Sequence, residues 1–175
     1  MKTFLEIGSC DFDNLNYLSH YGWRGVIVEP IAKYLDNIIR MDNVQYINAA
    51  ITGKDGTAKM YTAPDHATQN DPDFKGMSTL YKNSNDALTE IVEVQTMSFD
   101  TLLSTTGITQ IDYLKIDTEG YDGKILQAFP WRKIKPAYIK FESKHIDVRP
   151  ILLLLEMEGY HCEVDSENTY AFKLI

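Results

Sequence analysis

The run Gly25-Val26-Ile27-Val28-Glu29-Pro30 constrains the fold more than any other segment. Consecutive β-branched residues without polar alternation describe a strand buried on both faces. Such a strand belongs to a parallel sheet covered by helices on either side. Pro30 stops it. The flanking pattern agrees. A strand is predicted over 3–7, then a helix over 14–21 with Leu15, Leu18 and Tyr21 on one face and Gly22 as its C-cap. After the Val-Ile-Val strand, 31–40 reads as a helix with Tyr34, Leu35, Ile38 and Ile39 on one side, and 44–50 as a third strand. Strand and helix alternating in this way predict an α/β, doubly wound, mostly parallel sheet with right-handed crossovers.

Asp55-Gly56 marks a turn, and the strands predicted over 57–62 and 90–97 pair with each other. Between them, 63–87 is polar and too long for an idle connection, so it reads as a lid or substrate loop. Asp100 is read as the N-cap of a short helix beginning at Phe99. A buried strand over 111–117, a helix over 123–129 and a strand over 137–142 follow. A helix over 149–159 starts at Pro150 and ends at Gly159, and 160–164 with 169–174 form a closing antiparallel hairpin. With 175 residues, 44% of them hydrophobic, and no internal repeat, the chain reads as one domain over 1–175.

Charge narrows the partners. Against 25 acidic residues stand 17 lysines and arginines, a net charge of -8, which argues against nucleic acid because phosphate contacts dominate that affinity. The basic residues around Trp131, Arg132, Lys133, Lys135, Lys140 and Lys144 read as a solvated helix end and loop. Cys10 and Cys162 are far apart and lack CxxC spacing, so no structural zinc site is expected and a reducing, cytoplasmic setting fits. Glu6 interrupts what a signal peptide would continue as an apolar run, and the longest apolar run, 151–155, is too short for a membrane span. A small-molecule or glycan acceptor suits this charge, and a homo-oligomer is compatible with it.

In a doubly wound sheet ligands bind outside the carboxyl ends of the strands. After the first strand comes Glu6-Ile7-Gly8-Ser9-Cys10-Asp11, where a glycine permits a tight turn and close ligand approach. A full GxGxxG is missing, and Asp11 and Asp13 would repel a pyrophosphate. S-adenosylmethionine, with a sulfonium, an ammonium and no phosphate, suits such a loop better than NAD. Glu29 can accept hydrogen bonds from both ribose hydroxyls. Asn48-Ala49-Ala50 offers small residues beside a polar one, as room for an adenine or as tight helix packing. The fourth strand end, Lys115-Ile116-Asp117-Thr118-Glu119-Gly120-Tyr121-Asp122, carries three acids. A helix N-terminus explains Glu119 and Asp122; Asp117, still on the strand, needs another reason. Asp117, Glu119 and His145 are the candidates for base or substrate orientation. Adjacent acids on one turn are no metal signature, so no metal ligands are assigned and dependence on a divalent metal stays open.

These pieces together resemble the FkbM-type methyltransferases. The matching segments are Phe4-Leu5-Glu6-Ile7-Gly8, Gly22 to Pro30, Asn48-Ala49-Ala50-Ile51 with Asp55-Gly56, Met77-Ser78-Thr79-Leu80, Val94 to Leu102, and Asp112 to Asp122. The resemblance implies a Rossmann-like methyltransferase fold, S-adenosylmethionine as methyl donor and O-methylation of hydroxyls on sugars or other small scaffolds. It further implies that Glu6, Gly8 and Ser9 line the methionine end of the donor, that Glu29 holds the ribose, that Ala49 and Ala50 flank the adenine, and that Asp117 and Glu119 face the transferring methyl. Cys10, Pro30, Asn48 and Asp117 count with these as candidate cofactor-binding residues. Ser9-Cys10-Asp11-Phe12 replaces the family's frequent Gly-Ala-Asn, and N-terminal covering elements are missing, so an open pocket, a partner or a dimer would take their place. The alternatives are a non-catalytic nucleoside-binding module of the same fold and a nicotinamide-dependent oxidoreductase, the latter disfavoured by the missing GxGxxG.

Overall fold

The computed structural model describes residues 1–12, 14–70, 72–81 and 86–174. Asp13 and parts of the 63–87 segment therefore lie outside the described residues. The strands β1 (Thr3–Ile7), β2 (Arg24–Val28), β3 (Val44–Ile47), β7 (Tyr113–Ile116), β8 (Tyr138–Glu142), β9 (Tyr160–Val164) and β10 (Asn168–Lys173) form one sheet, ordered β3-β2-β1-β7-β8-β10-β9. The first five of these positions are parallel; β10 runs antiparallel to both β8 and β9. The chain winds outward from β1 to β3, returns to β7 beside β1, and leaves a switch point between β1 and β7. This is the Rossmann-like, doubly wound arrangement expected, closed by the antiparallel hairpin.

Alternate side chains of β1 and β2 explain the unalternated sequence. Leu5, Ile7, Val26 and Val28 pack with Leu102 of α3 (Phe99–Thr106), Ile125 of α4 (Asp122–Ala128) and Leu155 of α5 (Arg149–Met157). Phe4 and Ile27 face the other way, onto Leu15 and onto Leu35 of α1 (Ala32–Asn37). Both faces are therefore dry. Phe4 and Leu5 are each fully buried, and burying such side chains contributes about 1.5–3 kcal/mol apiece.

Several elements depart from expectation for physical reasons. The segment read as a helix over 14–21 is a 3-10 helix, Leu15–Tyr21, capped by the Asn14 side chain and by Gly22 at φ 78°. Helix α1 ends at Asn37 and Ile38 is already extended, so Ile38 is buried while Ile39 is 79% exposed. The third strand splits. Its continuation, β4 (Ala50–Ile51), leaves the main sheet and joins β6 (Glu90–Met97) and β5 (Gly56–Thr62) in a three-stranded sheet ordered β4-β6-β5. The cap of α3 is Ser98, whose hydroxyl accepts from the Thr101 N–H; Asp100 lies in the first turn. Within 63–87 are a helix α2 (Asp65–Asn70) and a 3-10 turn (Pro72–Lys75), and Thr79 bridges to Tyr61 of β5.

Candidate active site at the carboxyl ends of the strands

A cavity of about 270 Å³ opens at the ends of β1, β2 and β7, beside the switch point. Gly8 lies at its floor with φ 80°, and a Cβ there would come within 1.9 Å of the Asp117 carbonyl oxygen. The close approach has a purpose: the Asp117 N–H donates to the Ile7 carbonyl at 2.9 Å, so β1 and β7 stay paired to their last residue.

The chain next turns through Ser9 and Cys10, the latter at φ 47°. The Cys10 N–H donates to Glu29 Oε2 at 2.8 Å, and the Ile31 N–H donates to Glu29 Oε1 at 2.8 Å. Glu29 is thus pulled into the wall, 4% exposed, and burial pushes its carboxyl up to about 7 although the two N–H bonds act against that shift. Burial also pushes the Cys10 thiol up to about 12, so this cysteine is wall and not nucleophile at neutral pH.

Ala49, Ala50 and Ile51, with Met60 of β5, supply the apolar side of the cavity. The Asn48 amide donates to the Glu29 and Pro30 carbonyls and fixes the turn after β2. Asn48 is not among the lining residues, nor is Glu6. Glu6 is fully buried beneath the floor, where it pairs with Lys115 at 3.0 Å and accepts the Leu15 N–H at 2.7 Å. Gly8, Ser9, Cys10, Glu29, Pro30, Ala49, Ala50, Asp117 and Glu119 do line the cavity.

The acids after β7 divide their work. Asp122 turns inward, fully buried, and accepts from the Thr118 N–H and hydroxyl, ordering the start of α4. Burial raises it to about 6. Glu119 does not serve the helix. It adopts φ 54°, its carbonyl accepts from the Thr79 hydroxyl, and its carboxylate faces His145. Cys10 and Glu119 are the non-glycine residues with positive φ among those described, and both line the cavity. Such backbone costs about 1–3 kcal/mol and persists where the surroundings hold it. Burial and repulsion from Asp117 and Asp122 raise Glu119 to about 7.

Sequence reasoning missed Glu142. At the end of β8 it stands beside Glu119 and His145, and burial together with Glu119, Asp117 and Asp122 raises it to about 8. The neighbouring strand end was the only signal that could have found it. Lys75 and Tyr34 were also missed. Lys75 lines the cavity and pairs with Asp11 at 3.1 Å, tying the turn at 72–75 to the loop after β1.

The wall chemistry fits S-adenosylmethionine on one particular ground. Among the described residues the lysines of the wall, Lys75 and Lys115, are already in ion pairs with Asp11 and Glu6, whereas Glu29, Asp117 and Glu119 also line it. A pyrophosphate would meet acids and spent cations; a sulfonium and an ammonium meet complementary charge.

Comparison with known proteins places the chain. Among solved structures it is similar to precorrin-6y C5,15-methyltransferase from Geobacter metallireducens GS-15, at 14% identity and TM-score 0.46, covering 99% of this chain and 80% of that one. It is also similar to a chain of a fibrillarin/Nop5p complex, at 9% identity and TM-score 0.49, covering 99% of this chain and 73% of that one. No curated protein matches it. Among the described residues no helix is long and apolar enough to cross a membrane. Residues 6–162 match the model of the methyltransferase FkbM domain, nine-tenths of the chain, and the protein belongs to that methyltransferase family.

Proposed function

We propose that the protein is an S-adenosylmethionine-dependent O-methyltransferase that acts on a hydroxyl of a sugar or another small hydroxylated metabolite. The observation that carries this reading is that Glu29, after β2, and Asp117 and Glu119, after β7, line one and the same cavity. Glu29 would hold the ribose, Ala49 and Ala50 would flank the base, and the backbone at Gly8 and Ser9 would admit the methionine end. When bound, the donor supplies a methyl group on a good leaving group, so alignment is the main demand on the protein. Holding two reactants in line is worth about 7–11 kcal/mol, against roughly 10²–10⁴-fold for a general base. Asp117 is the proposed acceptor of the hydroxyl proton, and Glu119 orients the same hydroxyl. The segment over 63–87, through Lys75, Ser78 and Leu80 in the wall, would select the acceptor. The free cysteines Cys10 and Cys162 fit a reducing, cytoplasmic setting, and the acidic wall fits a neutral or cationic acceptor and not a nucleic acid.

Calorimetry with S-adenosylmethionine, S-adenosylhomocysteine and NAD tests the donor. Both sulfur ligands should bind, NAD should not, and Glu29→Ala should weaken the sulfur ligands. Unchanged binding in that variant refutes the assignment. A panel of glycans and hydroxylated metabolites with labelled donor tests the transfer; donor binding without transfer to any of them would favour a non-catalytic module.

A further inference from the structure

Glu119, in the cavity wall, also belongs to a mixed nitrogen and oxygen cluster whose other members, Glu142 and His145, are not among the lining residues. Glu119 comes from the turn after β7, Glu142 from the end of β8 and His145 from the loop that follows. One ligand atom from each lies within 4.8 Å of the other two. The His145 Nε2 is 3.4 Å from Glu119 Oε2 and 3.7 Å from Glu142 Oε1.

These separations are long for hydrogen bonds, which run about 2.7–3.2 Å. The two separations from His145 suit ligands of a common ion. With metal–nitrogen and metal–oxygen bonds of about 2.0–2.2 Å, tetrahedral ligands stand about 3.3–3.6 Å apart. A second observation is independent of these distances. Among the described residues, Glu142 Oε2 and Asp122 Oδ1 are buried oxygens without a hydrogen-bond partner, so these residues leave negative charge here incompletely answered. Among the described residues, Lys144 is a cation close enough to act on Glu119 and Glu142, and it already pairs with Glu167 at 3.2 Å.

We propose that Glu119, Glu142 and His145 form a binding site for a first-row divalent cation at the Glu119 end of the cavity. The imidazole nitrogen favours manganese, iron or zinc over calcium and magnesium, which prefer all-oxygen sites. His145 is 46% exposed on its side chain, leaving one side of the ion open to solvent or to a ligand. Three protein ligands with an open position is the composition of sites that act on a bound ligand. What the ion does there rests on the O-methyltransferase reading: it would bind the acceptor hydroxyl beside Asp117 and ease its deprotonation. The ligand set itself does not depend on that reading.

The test uses the untagged full chain, stripped with chelator and titrated with Mn²⁺, with free Mn²⁺ followed by electron paramagnetic resonance. One equivalent should bind, and His145→Ala and Glu142→Gln should each weaken it by about tenfold or more. Absence of saturable binding, or binding unchanged in both variants, overturns the site. Circular dichroism checks the fold of each variant; His145 is exposed enough for its removal to leave the core intact, so it decides the matter if Glu142→Gln does not fold. S-adenosylhomocysteine calorimetry on the same samples separates the two readings. Mn²⁺ binding without S-adenosylhomocysteine binding supports the cation site and refutes the donor assignment; the reverse keeps the donor and removes the cation.

Discussion

Replacing Gly8 by alanine isolates the contact on which the cavity floor depends. Two costs add at this position. The backbone holds φ at 80°, and an L-residue there costs about 1–2 kcal/mol. The new Cβ would also meet the Asp117 carbonyl oxygen at 1.9 Å and its carbon at 2.8 Å. Both are main-chain atoms of a paired strand end, which cannot swing aside as a side-chain tip would. Forcing an extra carbon into such a place costs about 1–3 kcal/mol. The expected loss is about 2–5 kcal/mol, a large share of the 5–15 kcal/mol that holds a typical domain. Gly22 provides the control, since its φ is 78° but nothing lies within 4 Å of its would-be Cβ. Gly22→Ala should cost about 1–2 kcal/mol only. Urea denaturation of the two variants measures the difference, and agreement to within about 0.5 kcal/mol refutes the close-approach argument. Gly8→Ala should additionally weaken S-adenosylhomocysteine binding, because β1 and β7 must part at the Asp117 end; Gly22→Ala should leave it unchanged.

Other perturbations follow from particular contacts. Glu29 has its carboxyl raised from 4.5 to about 7, so between those values the folded protein keeps a proton that the unfolded chain has lost. Stability should therefore fall as pH rises through that window, by roughly 3 kcal/mol from this group, and Glu29→Gln should flatten that part of the slope in denaturation curves taken from pH 4 to 8. Lys115→Met should cost about 3–5 kcal/mol by leaving the buried Glu6 without its ion pair. Adding Glu6→Gln should recover part of the loss, since the amide oxygen can still accept the Leu15 N–H; a double variant no more stable than Lys115→Met contradicts this. Ser98→Ala should cost about 1 kcal/mol in thermal or urea unfolding, while Asp100→Ala should cost less, because Ser98 caps α3.

Much of the site was legible because its residues lie at strand ends, and strand ends are readable from local pattern. Gly8, Glu29, Ala49, Ala50, Asp117 and Glu119 each lie at or just after the end of a strand predicted from the sequence, and all reach the cavity. Glu6 and Asn48 follow the same pattern but not the same direction. On β1 Glu6 shares a face with Phe4 and registers with Lys115 of the adjacent β7. The partner is over a hundred residues away, so no local signal announces an ion pair there. Asn48 turns back to the carbonyls after β2, because the chain must change sheets within two residues.

Sequence alone determined most of the elements of the main sheet, because burial on one or two faces leaves its period in the order of side chains. Val26-Ile27-Val28 announces a strand covered on both sides whatever its neighbours are. Beyond the two antiparallel pairings that the sequence predicts, β5 with β6 and β9 with β10, only the tertiary structure decided which strands adjoin, since adjacency is set by crossovers and packing between distant segments. It put β10 and not β9 beside β8, sent Ala50–Ile51 into the small sheet, and stood β7 next to β8. That last adjacency brings Glu142 and His145 to Glu119, twenty-odd residues away in the chain, and so creates a cluster that none of the three residues reveals by itself.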